Sequence, residues 1–325
     1  MAPDVRRHLR DGEGDIRGDG VRCIRGLAGI RPEVGALRGL RRADPQLAGR
    51  VRRGGEHPGC VRRDGRVGGV REVAPVGDRP VVTVLQAAHR ASFPVMGTTA
   101  SVHVDDDVSS REFESLVGET RAELGRLERM FSVFRPDSEI SRINDGRLHH
   151  LDASPEVIEV LDACAWLENA SGGAFSVRRS QGDHRIDPSG FVKGWAAERA
   201  ARVLTGSGIG HWYLGIGGDF TMSGGMRDGQ PWRIGIVDPR DASMLVGSVV
   251  VVDGAVATSG TAERGHHLWD PRTGTHADHF LSVTVTGPSL TWADAYATTV
   301  FVMGEPGLEW VAQFVGYSVL PVRRD

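Results

Sequence analysis

From Phe93 onward, hydrophobic and polar positions recur with the periods of strands and helices; before it they follow neither. Phe93 to Val104 is rich in β-branched residues and reads as a β-strand, with Gly97 marking a bulge or the close approach of a ligand. Ser109 and Glu112 form a capping-box pattern ahead of a helix whose apolar stripe is Phe113, Leu116, Val117, Leu124, Leu127 and Phe131. A polar loop with a short helical turn follows, through Asn144. Ser154, Pro155 and Glu156 open a second helix, carrying Val157, Leu161, Ala165 and Leu167 and ending at Gly172-Gly173. A third runs from about Lys193 through Trp195, Arg199, Ala200, Val203 and Leu204 to Gly206.

Strands are predicted at Trp212 to Ile216, Trp232 to Val237, Leu245 to Val252 continuing through Ala255 to Thr258, and Phe280 to Thr286. Gly217-Gly218-Asp219 reads as a tight turn. Helices around Trp292 to Val302 and Leu308 to Val315 precede a last strand, Ser318 to Val322. Strands at hairpin spacing with helices between them predict an α+β fold of mixed or antiparallel sheets with packed helices. No G-x-G-x-x-G follows a first strand, so a dinucleotide-binding doubly wound sheet is unsupported.

Residues 1–90 are dense in Arg and Gly and hold roughly half of the 39 basic residues. They read as an extension, disordered or non-native, with a folded domain over 91–325; a basic arm for nucleic acid is the other reading. Arg6, Arg7 and Arg10 lead into Asp-Gly-Glu-Gly rather than an apolar stretch, so no signal peptide is expected, and a cytoplasmic location follows as an expectation. The net charge of −3 and the 40% hydrophobic content point to neither nucleic acid nor a membrane span. Cys23, Cys60 and Cys164 form no CxxC pair; Cys164 falls in a helical pattern as a small buried hydrophobe.

The candidate chemistry centres on Asp187-Pro188-Ser189-Gly190-Phe191-Val192-Lys193-Gly194-Trp195-Ala196. An acid, a Gly-containing turn and a helix start make a natural anion site, with free N–H groups and the helix dipole facing it; a plain strand-to-helix connection that happens to carry a lysine is the other reading of the turn alone. Lys193 is the sole lysine of the chain. Asp294 and Thr298, four apart on a predicted helix, share a face, and their oxygens suit a hard cation such as Mg²⁺. Alone, such a pair is weak evidence, since most Asp/Thr pairs at this spacing are surface or capping groups. His267, beside the turn at Asp270-Pro271, has the position of a general base; from the residues alone a hydrogen-bonded structural histidine is the simpler reading.

Taken in order, these pieces resemble the flavin transferases that move FMN from FAD onto a protein, also called the thiamine-biosynthesis lipoprotein family. The resemblance runs from about Phe93 to the end. It rests on Met96-Gly97-Thr98, Phe134 through Asn144, Asp187 through Ala196, Gly217-Gly218-Asp219, Ala257 through Gly260, His267 through Gly274, and Ala293 through Thr298. It implies a T-fold-like domain with FAD in a cleft beside Mg²⁺. The metal would be held by Asp294, Thr298 and backbone oxygens near Gly190 and Ala297. FAD would be contacted by Met96, Phe134, Ala174, Phe175, Ser176, Asp187, Lys193 and Leu268. His267 would take the proton of an acceptor Thr or Ser, oriented by Asp270, and Lys193 would steady charge on the pyrophosphate as AMP leaves. Phe134 stands where many members have Tyr, Ser189 where many have Gly, and Ser176-Val177-Arg178-Arg179 is more basic than usual. Two rival activities share the same cleft: an FAD pyrophosphatase using water, and a flavin-binding protein without turnover.

Overall fold

The computed structural model describes residues 71–74, 89–178, 182–260 and 268–324, all within one structural unit spanning residues 62–325. The reading of residues 1–90 therefore lies outside the described residues, apart from strand β1 (Arg71–Ala74) and the start of β2 (His89–Val95). Next come β3 (Thr98–Val104), α1 (Ser110–Phe131), α2 (Glu139–Asn144), α3 (Pro155–Ala170) and α4 (Ser189–Gly206). Strands β4 (Trp212–Ile216), β5 (Asp219–Ser223), β6 (Trp232–Asp238), β7 (Asp241–Val251) and β8 (Gly254–Gly260) follow. Two short strands, β9 (Trp269–Asp270) and β10 (Thr275–His276), precede β11 (Phe280–Gly287), α5 (Leu290–Met303), α6 (Glu305–Val311) and β12 (Ser318–Arg323).

Every pairing among the described strands is antiparallel, as the α+β reading expected. Seven strands form one sheet in the order β12-β11-β8-β5-β4-β3-β2, and β1-β7-β6 form a second. Period-two alternation sorts the large sheet's side chains into two layers. On one face Ala100, Val102, Leu214, Ile216, Ala257, Val283 and Val285 are buried, and α5 packs on this side against β8 and β11. On the other face Met222 and Val256 meet Trp232, Ile236, Val249 and Val251 of the small sheet in a second apolar cluster. His103 belongs to this second layer. It is fully buried, edge-on to Tyr213 at 4.7 Å and Trp232 at 5.1 Å between ring centroids. Neither ring nitrogen has a hydrogen-bond partner among the described residues.

Several boundaries differ from the sequence reading. The single strand expected over Phe93 to Val104 is a hairpin, β2 and β3, turning at Met96-Gly97 with φ of +51° and +69°. Two consecutive positive φ values define the two-residue turn whose twist matches antiparallel strands, and Met in the first position hides that signal. The 245–258 run is two strands, β7 and β8, parted by a turn before Gly254, where a Cβ would stand 2.8 Å from the carbonyl oxygen of Gly287. Asp219 opens β5, which the turn reading of Gly217-Gly218-Asp219 left out. In α3 the buried stripe is Val157, Val160, Cys164 and Leu167, whereas Ala165 is exposed. Helix α6 starts three residues early, with Pro306 in its first turn, and stops at Val311. Helix α4 also starts early, at Ser189 rather than near Lys193: Pro188 precedes it as the N-cap residue, and Gly190 falls inside its first turn.

Candidate functional site

The antiparallel order brings several chain reversals to one end of the large sheet's strands. The β2–β3 turn (96–97), the β4–β5 turn (217–218), the end of β8 and the start of β11 all lie there. They border a cleft of about 1520 Å³, above the roughly 300–1,000 Å³ typical of small-molecule sites and ample for a dinucleotide. Its other wall is the edge strand β6 with the turn beyond it, and its floor includes Lys193, Asp294 and Thr298.

Two helices fix the floor. Gly194 lets α4 and α5 approach: a Cβ there would fall 2.7 Å from the carbonyl oxygen of Leu290 and 2.9 Å from Asp294 Cβ. The Gly194 N–H donates to Asp294 Oδ2 at 3.0 Å. One residue earlier, Lys193 Nζ lies 2.5 Å from Asp219 Oδ2 and 3.5 Å from Asp294 Oδ1. Asp219 points to the helix face from the first position of β5, and its Oδ1 accepts the Thr258 N–H at 2.8 Å. Burial drives the Asp294 pKa well above the usual carboxylate range; Lys193 opposes the rise and the charge on Asp219 adds to it. Thr298 is the one position from 290 to 302 that is not buried. Its hydroxyl shares a 3.0 Å hydrogen bond with Ser259 of β8.

The rim comes from loops. Phe134 is 93% exposed. Its loop is anchored by Ser138, whose hydroxyl donates to the Ser132 carbonyl at 2.7 Å. Asn144, at the end of the same motif, exchanges two hydrogen bonds with the Ile186 backbone, at 2.9 and 2.7 Å, which places Asp187 on the cleft wall. The Asp187 carboxylate accepts the Ser189 N–H at 3.0 Å, and the N–H groups of Phe191 and Val192 go to Pro188 O. Three of the N–H groups expected to face an anion are thus used in starting the helix. The Phe175 ring lies over Gly190, 3.5 Å from where a Cβ would stand, and Ser176 donates to Glu168 at 3.2 Å.

The cleft therefore gathers Met96, Phe134, Ala174, Phe175, Ser176, Asp187, Gly190, Lys193, Leu268, Asp294 and Thr298. Ala297 is fully buried on α5 and contributes no surface to the wall. Asp270 is not on the wall; its carboxylate accepts from the Arg272 side chain at 2.8 and 2.9 Å and from its N–H at 2.9 Å. Those bonds, from the side chain above all, hold its pKa below the usual range. His267 lies outside the described residues. Sequence reasoning passed over Asp219 as a functional group, although a lone lysine ahead of a buried sheet needs a counter-ion, and it passed over Ser259.

The donor set suits a hard cation. The Asp294 carboxylate and the Thr298 hydroxyl both reach the cleft, and both are oxygen donors of the kind such an ion takes. The oxygens of Asp294 and Thr298 lie a helical turn apart on α5. No group of three or more His, Cys, Asp or Glu among the described residues could hold a metal by itself, so such an ion would draw on hydroxyl, backbone and substrate oxygens as well.

The ApbE family model matches residues 96–179 and 176–320. The chain is 31% identical over 153 residues to the FAD:protein FMN transferase of Salmonella typhimurium, a match covering 44% of each chain. To the FAD:protein FMN transferase of Vibrio cholerae it is 28% identical over 270 residues, covering 66% of this chain and 81% of the relative. The chain thus spans less than half the length of the Salmonella typhimurium relative. Among solved structures, a mutant of the flavin transferase ApbE from Vibrio cholerae superposes with a TM-score of 0.61 at 25% identity, over 73% of this chain and 94% of the other. The apo form of Pseudomonas stutzeri flavinyl transferase ApbE gives 0.62 at 24% identity, over 73% and 91%, a likeness of fold.

Proposed function

Because the chain belongs to the ApbE family, we propose that it transfers FMN from FAD to a threonine or serine hydroxyl of another protein, with AMP as the second product. The observation that carries this reading is that Lys193 and Asp294, paired with the buried Asp219, stand with Thr298 on the floor of a cleft large enough for a dinucleotide. Phosphoryl transfer depends on positioning and charge neutralisation more than on covalent help from the enzyme, and this cluster is built for both.

The acceptor oxygen forms a bond to the FMN-side phosphorus. The bond from that phosphorus to the bridging oxygen breaks, and its electron pair leaves with AMP. His267 is the group assigned to receive the hydroxyl proton. Phe134 offers a ring face for stacking at the rim. Lys193, its side chain 27% exposed, holds the two carboxylates in place and presents positive charge to the pyrophosphate. Asp294, Thr298 and a backbone oxygen near Gly190 would hold Mg²⁺, which when bound neutralises charge on the phosphoryl oxygens; Ala297, buried inside α5, offers no surface there.

The test mixes the protein with FAD, Mg²⁺ and an acceptor protein carrying a reactive threonine, and reads the acceptor's mass with and without EDTA. A mass increase of one FMN that EDTA abolishes supports the reading. AMP release with no change in acceptor mass would make the protein a pyrophosphatase. FAD binding with neither product would make it a flavin binder.

A further inference from the structure

Helices α4 and α5 run antiparallel and touch through residues four apart on each. Glu198 of α4 meets the start of α5, and Gly194 meets Asp294 in the middle. The same four-residue step carries Gly190 toward Thr298 at the end that opens into the cleft. At the far end the contact is a three-point clamp on one carboxylate. Glu198 Oε1 accepts the Leu290 N–H at 2.7 Å. Its Oε2 accepts the Ser289 hydroxyl at 3.1 Å and the Thr291 hydroxyl as well. Ser289 also caps α5, accepting the Trp292 N–H at 3.5 Å, so one acid on α4 takes up the first turn of α5 and favours its helix dipole.

A clamp at one point still lets a helix rotate; a second bond a turn away stops it. Glu198 at the start of α5 and the Gly194 N–H on Asp294 are two such points. We propose that Glu198 is a positioning residue. It fixes the axial register and rotation of α5 on α4, and through them the mutual placement of Gly190, Asp294 and Thr298, without touching substrate or metal itself. This rests on the metal reading given above, and concerns how the site is kept in register rather than which groups form it.

The experiment uses Mn²⁺ as the probe, its binding to the full chain titrated by electron paramagnetic resonance with and without FAD. Transfer rates are measured as Mg²⁺ is varied. The comparison is Glu198→Ala and the milder Glu198→Gln against Glu159→Gln. Glu159 ties α3 to α4 by accepting from Trp195 Nε1 at 2.9 Å and from Arg199, so its loss loosens the same helix without freeing α5. Positioning predicts that Glu198→Ala weakens Mn²⁺ binding about tenfold or more and Glu198→Gln about threefold. The Mg²⁺ needed for half-maximal rate should rise in step. Glu159→Gln should lower the melting temperature yet leave the Mn²⁺ affinity unchanged. If Glu198→Ala does not fold, Glu198→Gln and the control decide. Equal Mn²⁺ affinity in Glu198→Gln and the parent, or an equal loss in the control, overturns the proposal alone. Parent protein that binds no Mn²⁺ overturns the metal reading, and the positioning role with it.

Discussion

At Gly194 two rules of substitution point in opposite directions. Replacing glycine by alanine inside a helix ordinarily gains up to about 1 kcal/mol of propensity. Here the new Cβ would fall 2.7 Å from the Leu290 carbonyl oxygen and 2.9 Å from Asp294 Cβ, and forcing a packed core apart costs about 1–3 kcal/mol. Sterics win, because both neighbours belong to one helix that cannot yield locally. Gly194→Ala should therefore lower stability in urea melts and slow flavin transfer together. Asp294→Ala separates the two effects. It leaves no clash and removes the one carboxylate on α5, so metal-dependent turnover should fall by at least about 100-fold while FAD, titrated by its own fluorescence, binds only somewhat more weakly. Normal turnover in Asp294→Ala would mean that the chemistry is elsewhere. His267→Ala should slow transfer and leave FAD bound, a result read from the same two assays.

Among elements, helices with side-chain caps were open to reading. Ser109 accepts the Glu112 N–H and Ser154 the Val157 N–H, and both helices start where those serines say. Local hydrogen bonds leave a local signature. The β2–β3 hairpin did not, because its turn places Met96 at φ +51°, a conformation that sequence patterns assign to Asn, Asp or Gly. Gly97→Val puts a β-branched residue at φ +69°, where the left-handed region costs about 1–2 kcal/mol. The urea midpoint should fall accordingly, and FAD affinity should fall with it since the turn borders the cleft. Asp219 was hidden for a different reason. Its partner Lys193 is 26 residues away, and only the sheet order, with β5 next to β8 and β4, aims it at α4. Lys193, Asp294 and Thr298 could be named one at a time from motifs; their convergence with Asp219 depended on pairing at long range, which no local pattern encodes.

For the whole molecule, the layer between the two sheets sets a response to acid. Burial holds the His103 pKa down to about 4, with Arg90 adding to the effect and Asp105 opposing it. The unfolded chain would take up a proton near 6.5, the folded one only near 4. His103 therefore stabilises the fold fully above about pH 6.5, and that share is lost as pH falls toward 4. The 2.5-unit gap corresponds to about 3 kcal/mol. Asp294, with its pKa raised, works in the opposite sense above the ordinary carboxylate range, so the informative quantity is a difference. Urea melts of the parent and of His103→Phe, which keeps the edge-on ring contacts, should diverge below pH 6.5, the parent losing ground. Parallel pH profiles would show that His103 is reached by solvent.

Lys193 is the only lysine in the chain, and it stands in the second turn of a helix packed against another. A lysine-specific endoprotease therefore finds a single peptide bond to cut, Lys193–Gly194. The bond lies where no protease can draw the backbone into an extended strand until α4 lets go of α5. Cleavage should yield two fragments with no intermediates, at a rate that follows the opening of this helix pair and drops when FAD is added. The residue that balances the buried carboxylates thus doubles as a built-in clock for the moment the site comes apart.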